Sequence, residues 1–372
     1  MRVVLSGGGT GGHIYPALAV AAQCAAEDSA SEFLYIGGQR GLESSIVPKS
    51  GLPFRAIDIT GFRRKLSVDN VKTVMRFLKG VRSSKQMLKE FKPDVVVGTG
   101  GYVCGPVVYA AAKLGIPTVI HEQNAVPGLT NKFLSKYVST VAVSFEGSES
   151  AFSGAGRVIY TGNPRATVVH TADKRMGYKS LGLPDDSRIV LVVGGSRGAK
   201  AINEAMVEMA SELPKLGHLS FVYVTGESYY DSTREAIAGK LGQLPGNLKV
   251  LPYVHNMPEV LAATSLIVNR AGASFLAEIT SLGLPSILIP SPNVTNNHQE
   301  KNARMLEKAG AASVILEPEL SGQRLFRSIQ DIMQSPERHT GMSAASKGLG
   351  KPDSAQLLVS ELQRLASTSK HK

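Results

Sequence analysis

Ser6-Gly7-Gly8-Gly9-Thr10-Gly11-Gly12-His13-Ile14-Tyr15-Pro16 is the stretch on which the fold turns. Val3-Val4-Leu5 precedes it, a short apolar run with the character of a buried strand. Ala17-Leu18-Ala19-Val20-Ala21-Ala22 follows, with the character of a helix. A glycine-rich turn from strand to helix exposes backbone N–H groups at a positive helix end. It suits a phosphate, a sugar hydroxyl or a developing negative charge. The glycines let a ligand come close to the backbone, because no Cβ stands in the way. His13 follows five glycines interrupted only by Thr10. A histidine there can take a proton from something held against the loop; the plainer reading is that it caps or packs. Gly7-x-Gly9-x-x-Gly12 also has dinucleotide-fingerprint spacing, which calls for an acid at the end of the second strand. That strand, Phe33-Leu34-Tyr35-Ile36, runs into Gly37-Gly38-Gln39-Arg40 with no acid.

Outward from this turn, strands and helices alternate. Strands are predicted at Val3–Leu5, Phe33–Ile36, Phe54–Ile59, Val95–Val97, Thr118–Ile120, Val141–Ser144 and Val158–Tyr160. After Pro164 a second series runs through Ile189–Val193, Phe221–Val224, Lys249–Pro252, Leu266–Asn269, Ser286–Ile289 and Ser313–Leu316. Alternation of this kind argues for parallel sheets covered on both faces. Each series opens with a strand and a glycine-rich loop, Gly7–Gly12 in one and Gly194-Gly195-Ser196-Arg197-Gly198 in the other. The expectation is an α/β chain of two Rossmann-like domains with an interdomain cleft, joined near Gly162–Arg165. Residues 1–163 form the first domain and 164–349 the second. The final helix, about Ser354–Ala366, can pack on either one.

The 372 residues suffice for two domains, and the apolar fraction of 43% can build two cores. No apolar run is long enough to span a membrane. Met1-Arg2 leads straight into a strand, so no signal peptide is expected. Cys24 and Cys104 lack metal-ligand spacing and suit reduced thiols in the cytoplasm. The net charge of +11 calls for an acidic partner, and most of it is local. Between Gly61 and Lys92 stand Arg63, Arg64, Lys65, Lys72, Arg76, Lys79, Arg82, Lys85, Lys89 and Lys92. Only Asp69 and Glu90 oppose them, a net +8. Val71, Val74, Met75, Leu78 and Val81 recur there at helical spacing, with Phe77 breaking the polar side. Such a basic amphipathic helix can lie on an anionic membrane, through Val74, Met75, Arg76, Leu78, Lys79 and Arg82. It can equally be an ordinary helix whose apolar stripe packs on the sheet. Aromatic residues are sparse and no recognition module is visible, which disfavours nucleic acid.

Further motifs end the strands. Gly98-Thr99-Gly100-Gly101-Tyr102-Val103-Cys104-Gly105-Pro106 is another glycine-rich turn, carrying Tyr102. In His121-Glu122-Gln123-Asn124, Glu122 and Asn124 can bond a polar ligand, or Glu122 can hold loops together. Arg165, in Asn163-Pro164-Arg165, can pair with a phosphate or fix a hinge. Ser196 is a donor in the second loop. Asn269-Arg270-Ala271-Gly272-Ala273-Ser274 leads into a helix bearing Glu278, which suits a ribose diol or, more plainly, a helix dipole. Pro290–Gln299 is amide-rich and suits sugar hydroxyls, with His298 and Gln299 reaching in. Neither a D-x-D pair nor a P-loop occurs, so no metal or other cofactor is expected.

Taken in order from Val3 to Ala312, these motifs closely resemble the MurG family. They include Gly8–His13, Gly100–Pro106, His121–Asn124, Gly162–Arg165, Gly194–Ala199, Ala271–Glu278 and Thr295–Asn302. The form of Asn163-Pro164-Arg165 and of the Val294–Gln299 loop looks Gram-positive. The resemblance implies an inverting GT-B glycosyltransferase that moves N-acetylglucosamine from UDP to undecaprenyl-pyrophosphoryl-N-acetylmuramoyl-pentapeptide (lipid I), giving lipid II. It implies that the last helix, about 350–372, returns to the first domain. Thr10, Gly11, Gly12 and Asn124 would line the meeting place of donor sugar and acceptor. Arg165 and Ser196 would hold the pyrophosphate and Val254 would contact uracil through its backbone. Ala273, Ser274, Phe275, Leu276, Ala277 and Glu278 would bind the nucleoside, and Gln299 the donor sugar. Tyr102 and Glu122 fall on the acceptor side. Peptidoglycan synthesis, cell shape and division, cell-wall partners and a peripheral place on the cytoplasmic membrane face follow from the same resemblance. His13 is the expected general base, since an unperturbed imidazole titrates near pH 6.5. A non-hydrolysing UDP-sugar epimerase and a nucleotide-sugar-binding regulator are the competing readings.

Overall fold

The computed structural model describes residues 1–61 and 68–369. The first sheet has seven strands in the order β3-β2-β1-β4-β5-β6-β7, all parallel. They are β1 (Arg2–Ser6), β2 (Glu32–Gly38), β3 (Phe54–Ile57), β4 (Val95–Gly98), β5 (Thr118–Glu122), β6 (Thr140–Val143) and β7 (Val158–Tyr160). Its helices are α1 (Gly11–Glu27), α2 (Glu43–Lys49), α3 (Val68–Phe91), α4 (Cys104–Lys113), α5 (Leu129–Leu134) and α6 (Arg165–His170). The second sheet has six parallel strands, β10-β9-β8-β11-β12-β13. These are β8 (Arg188–Val193), β9 (Leu219–Val224), β10 (Leu248–Leu251), β11 (Thr264–Asn269), β12 (Ser286–Leu288) and β13 (Ala312–Val314). Around them lie α7 (Lys174–Leu181), α8 (Lys200–Met209), α9 (Tyr230–Leu241), α10 (Met257–Ala263), α11 (Ala273–Leu282), α12 (His298–Lys308), α13 (Gly322–Met333) and α14 (Pro336–Leu349). The chain ends in α15 (Ser354–Ser369).

The expected parallel α/β alternation is thus borne out strand for strand. The reason is physical. Central parallel strands are buried on both faces and carry near-continuous apolar runs. Val3 and Leu5 of β1 join Val95 and Val97 of β4 on one face, with Ile14, Ala17 and Val20 of α1. Val4 and Val96 point the other way, into a core with Val107 and Val108 of α4. The chain divides into two compact units, Met1–Thr167 with the segment from Lys351, and Val168–Gly350. The first unit therefore ends at Thr167, two residues beyond the Gly162–Arg165 junction read from the sequence, inside α6. In the first unit α15 packs on α1, burying Leu358, Val359 and Leu362.

Both sheets reverse strand order once, at β1/β4 and at β8/β11. Ligands of open α/β sheets sit beyond the carboxyl ends of strands at such reversals. The loops at those ends are 7–10 and 99–103 in the first unit, and 194–199 and 270–272 in the second.

Candidate active site

In the first unit the two loops at the reversal are locked together. The Gly8 N–H donates to the Gly100 carbonyl at 3.3 Å, and the Thr99 hydroxyl to the His13 carbonyl at 2.7 Å. A Cβ on Gly101, where φ is +80°, would stand 2.3 Å from the Gly8 oxygen, so only glycine fits there. Thr10 is the N-cap of α1 and is exposed, Gly11 and Gly12 open the helix, and His13 sits half-buried in its first turn. The imidazole Nδ1 lies 3.0 Å from the Gly8 carbonyl oxygen and 3.3 Å from the Thr10 hydroxyl. A carbonyl only accepts, so Nδ1 carries the proton and Nε2 the lone pair in the neutral ring. Nε2 lies over Gly100, 3.1 Å from where a Cβ there would stand. The Gln123 Oε1 flanks the same point at 3.4 Å. It is buried and meets no hydrogen-bond donor among the described residues.

The other first-unit candidates arrange around this ring. Tyr102 stands against Gly9, its ring 3.5 Å from a Cβ built there, and is partly exposed. Burial, then the nearby Glu43, raise its phenol above the ordinary value. Asn124 donates from its backbone and side chain to Glu122 Oε1, at 3.0 and 3.3 Å. The other Glu122 oxygen accepts from the Gly128 N–H and the Asn131 amide, at 3.0 and 2.8 Å. Both oxygens of this buried carboxylate are therefore engaged with the loop that follows β5, its loop-holding reading. His121 is fully buried between the Gly162 carbonyl and the Gln123 amide. Burial lowers its pKa, so it stays neutral core structure. Arg165 opens α6 in the first unit, with its guanidinium stacked 5.5 Å above the Tyr15 ring.

The residue that sequence reasoning missed is Glu43. The second strand ends without an acid, but one arrives five residues later, at the start of α2. The carboxylate is fully buried. It accepts from the Gly9 N–H at 3.0 Å and from the Gly38 N–H at 2.9 Å. A Cβ at Gly8 or Gly41 would stand 2.3 or 2.2 Å from its oxygens. The only sequence signal was the cluster Gly37, Gly38 and Gly41 beside it.

The second unit builds a different loop. Gly195 and Gly198 have φ of +94° and +72°, and Ser196 is exposed at the tip. A Gly198 Cβ would lie 2.0 Å from the Thr225 carbonyl oxygen. Ala273–Ala277 open α11, with Ala273 and Leu276 buried and Ser274, Phe275 and Ala277 half-buried. The Glu278 carboxylate is buried in its second turn. Val254 is buried just past β10. Gln299, in the first turn of α12, accepts the Ser291 N–H at 2.9 Å on its amide oxygen. Among the described residues, no three His, Cys, Asp or Glu side chains converge as metal ligands.

The profile of the glycosyltransferase family 28 N-terminal domain matches residues 3–143, and that of its C-terminal domain residues 189–358. The chain belongs to glycosyltransferase family 28. A relative in this family, from Halalkalibacterium halodurans, is 57% identical over 98% of this chain and 100% of its own. That protein is named UDP-N-acetylglucosamine--N-acetylmuramyl-(pentapeptide) pyrophosphoryl-undecaprenol N-acetylglucosamine transferase. The crystal structure of Acinetobacter baumannii MurG superposes with a TM-score of 0.76 at 30% identity, covering 98% of this chain and 99% of that one. A Neisseria meningitidis UDP-GlcNAc 2-epimerase bound to UDP-GlcNAc scores 0.69 at 17% identity, covering 98% of this chain and 100% of its own. The last likeness is one of fold alone.

The basic helix α3 had two readings in the sequence. Its predicted apolar stripe is divided: Val81 packs against the core of the first unit, and three other members turn outward. Val74, Met75 and Leu78 are 46%, 56% and 62% exposed, while Thr73, Ser84 and Leu88 face inward. Gly80 lets α4 approach: a Cβ there would stand 3.2 Å from Pro106. Phe77, read as a break in the polar side, packs edge-on against Phe133 of α5, 6.1 Å between centroids. Leu129 and Phe133, 77% and 41% exposed, extend the same surface. Arg76 reaches back to the Thr60 hydroxyl at 3.2 Å, and Lys79 and Arg82 are exposed. Arg63, Arg64 and Lys65 lie outside the described residues. No helix among the described residues is long and apolar enough to cross a membrane.

Proposed function

We propose that this chain transfers N-acetylglucosamine from UDP-N-acetylglucosamine to the 4-hydroxyl of the muramoyl sugar of lipid I, making lipid II for peptidoglycan. The observation that carries the reading is His13: an imidazole fixed at Nδ1 by the Gly8 carbonyl, so that Nε2 can accept a proton above the glycine loops. The name of the 57%-identical relative supplies the substrates. His13 acts as general base on the sugar hydroxyl, a contribution typically of 10²–10⁴ in rate. One displacement at the anomeric carbon inverts it as UDP departs. Ser196, the N–H groups of its loop and Arg165 offset the charge growing on the pyrophosphate, which needs no metal in this reading. Val254, Ala273–Glu278 and Gln299 hold the nucleoside and donor sugar. Thr10, Gly11, Gly12 and Asn124 line the reacting end, with Tyr102 on the acceptor side.

The acceptor's lipid tail gives the exposed face of α3 its purpose. Val74, Met75, Leu78 and, beyond them, Leu129 and Phe133 enter the headgroup region of an anionic membrane, and Lys79 and Arg82 contact its phosphates. The chain then works as a peripheral protein on the cytoplasmic face.

The decisive assay offers purified protein UDP-N-acetylglucosamine and a lipid I analogue, with and without a chelator. Labelled lipid product that survives chelation is expected. Conversion of UDP-N-acetylglucosamine with no acceptor present would instead favour the epimerase reading.

A further inference from the structure

Glu43 is a buried carboxylate with no place in the chemistry so far. Its charge is met by the N-terminus of α2 and by two backbone donors, the N–H groups of Gly9 and Gly38. The first of these belongs to the peptide unit whose other end is the Gly8 carbonyl. That carbonyl is the acceptor for Nδ1 of His13. Carboxylate, peptide and imidazole therefore form one chain of hydrogen bonds, with 3.0 Å at each link. Bonds arranged head to tail in this way polarise one another, most of all when one end is ionised and buried. The close fit of Gly8 and Gly41 around the carboxylate keeps side chains out of its way.

We propose that Glu43 is a positioning residue for the transfer. Through the Gly8–Gly9 peptide it holds the proton of His13 on Nδ1 and keeps Nε2 turned to the nucleophile. This rests on His13 being the base. As the imidazole takes the hydroxyl proton at Nε2, positive charge appears on a ring whose far side already faces a polarised carbonyl.

Other charged and titratable groups face this region from each packed element. Tyr102 reaches Gly9 from the turn before α4, and Arg165 of α6 lies over Tyr15. On β5, His121 is neutral and Glu122 is bound to its own loop. Glu43 offers negative charge along a hydrogen-bonded path to the ring.

Two measurements test the idea. In the wild-type protein, nitrogen NMR of His13 above its titration should show the proton on Nδ1. A proton on Nε2 would overturn the proposal, whatever the base proves to be. In Glu43→Gln the acid limb of kcat/KM should move to lower pH by roughly half to one unit, since a lost negative charge disfavours the imidazolium. The same variant should lower kcat about tenfold and leave KM for UDP-N-acetylglucosamine near wild type. A limb that stays put, even with slower turnover, makes Glu43 merely structural and defeats the proposal. Should Glu43→Gln fail to fold, the wild-type tautomer decides. A fully active His13→Ala would sink the base reading instead, and the tautomer would be untouched by that result.

Discussion

The two units present the same strand–glycine loop–helix turn at the same topological place, yet build it from opposite materials. The first loop rests on a buried carboxylate, Glu43, and carries an imidazole on its upper side. The second is packed mainly backbone on backbone, Gly198 against the Thr225 carbonyl and Gly226 against the Gly198 N–H, and it exposes Ser196 and Arg197 at its tip. A negative charge under the first loop consumes an N–H group that an anion would need and repels the anion besides. The second has no such charge and suits a pyrophosphate. On the proposed assignment, identical topology yields a proton-handling loop in one unit and an anion-binding loop in the other.

Loss of one group from each loop should break this symmetry in different kinetic parameters. His13→Ala is expected to lower kcat by 10²–10⁴ with UDP-N-acetylglucosamine affinity unchanged, by turnover assay and calorimetry. Ser196→Ala should leave proton transfer intact but remove a hydrogen bond to a charged oxygen, about 1.5–3 kcal/mol. That is roughly a 10- to 100-fold weaker affinity for UDP. If the first substitution weakened UDP and the second slowed only chemistry, the assignment of roles would be reversed.

The outer surfaces differ as well. Among the exposed large apolar side chains, Val74, Met75, Leu78, Leu129 and Phe133 all belong to the first unit. Replacing Met75 and Leu78 by Glu should cut binding to anionic vesicles about tenfold or more, and leave turnover on a short-chain soluble acceptor unchanged. Equal vesicle binding by wild type and variant, measured by sedimentation, would leave that surface without its proposed partner.

Strand positions and glycine loops were legible because buried parallel strands are apolar runs punctuated by glycine, a signal local to each segment. Glu43 was not legible. It acts on a peptide 34 residues earlier, through a carboxylate whose neighbours are backbone, so its own segment marks it only by the glycines beside it. The face of α3 kept two readings open for a different reason. Spacing identifies an apolar stripe but not which stripe is buried. Here the inner face mixes small residues, Thr73, Gly80 and Ser84, with Phe77, Val81 and Leu88, while Val74, Met75 and Leu78 are left outside. Glu122 had two readings in the sequence, and only its four donors distinguish them.

The first unit also depends on α15. Glu361 on α15 accepts from the Thr140 hydroxyl of β6, Arg157 at 3.1 Å and Arg364 at 2.7 and 2.8 Å. Burial works to raise its pKa, but Arg364, Thr140 and Arg157 outweigh that and hold it at about 2, against an ordinary 4.5. A depressed carboxylate stabilises the fold above its unfolded pKa. That contribution fades as pH falls from about 4.5 towards about 2. It amounts to something on the order of 2 kcal/mol, confined to the first unit. Hydrogen exchange across this window should therefore loosen α15 and β6 before β8 and β11. In Glu361→Gln, α15 should already be loosened near neutrality, with a flatter response to acid. Simultaneous loosening of both units in the wild type would mean that the last helix is not what sets the first unit's acid limit.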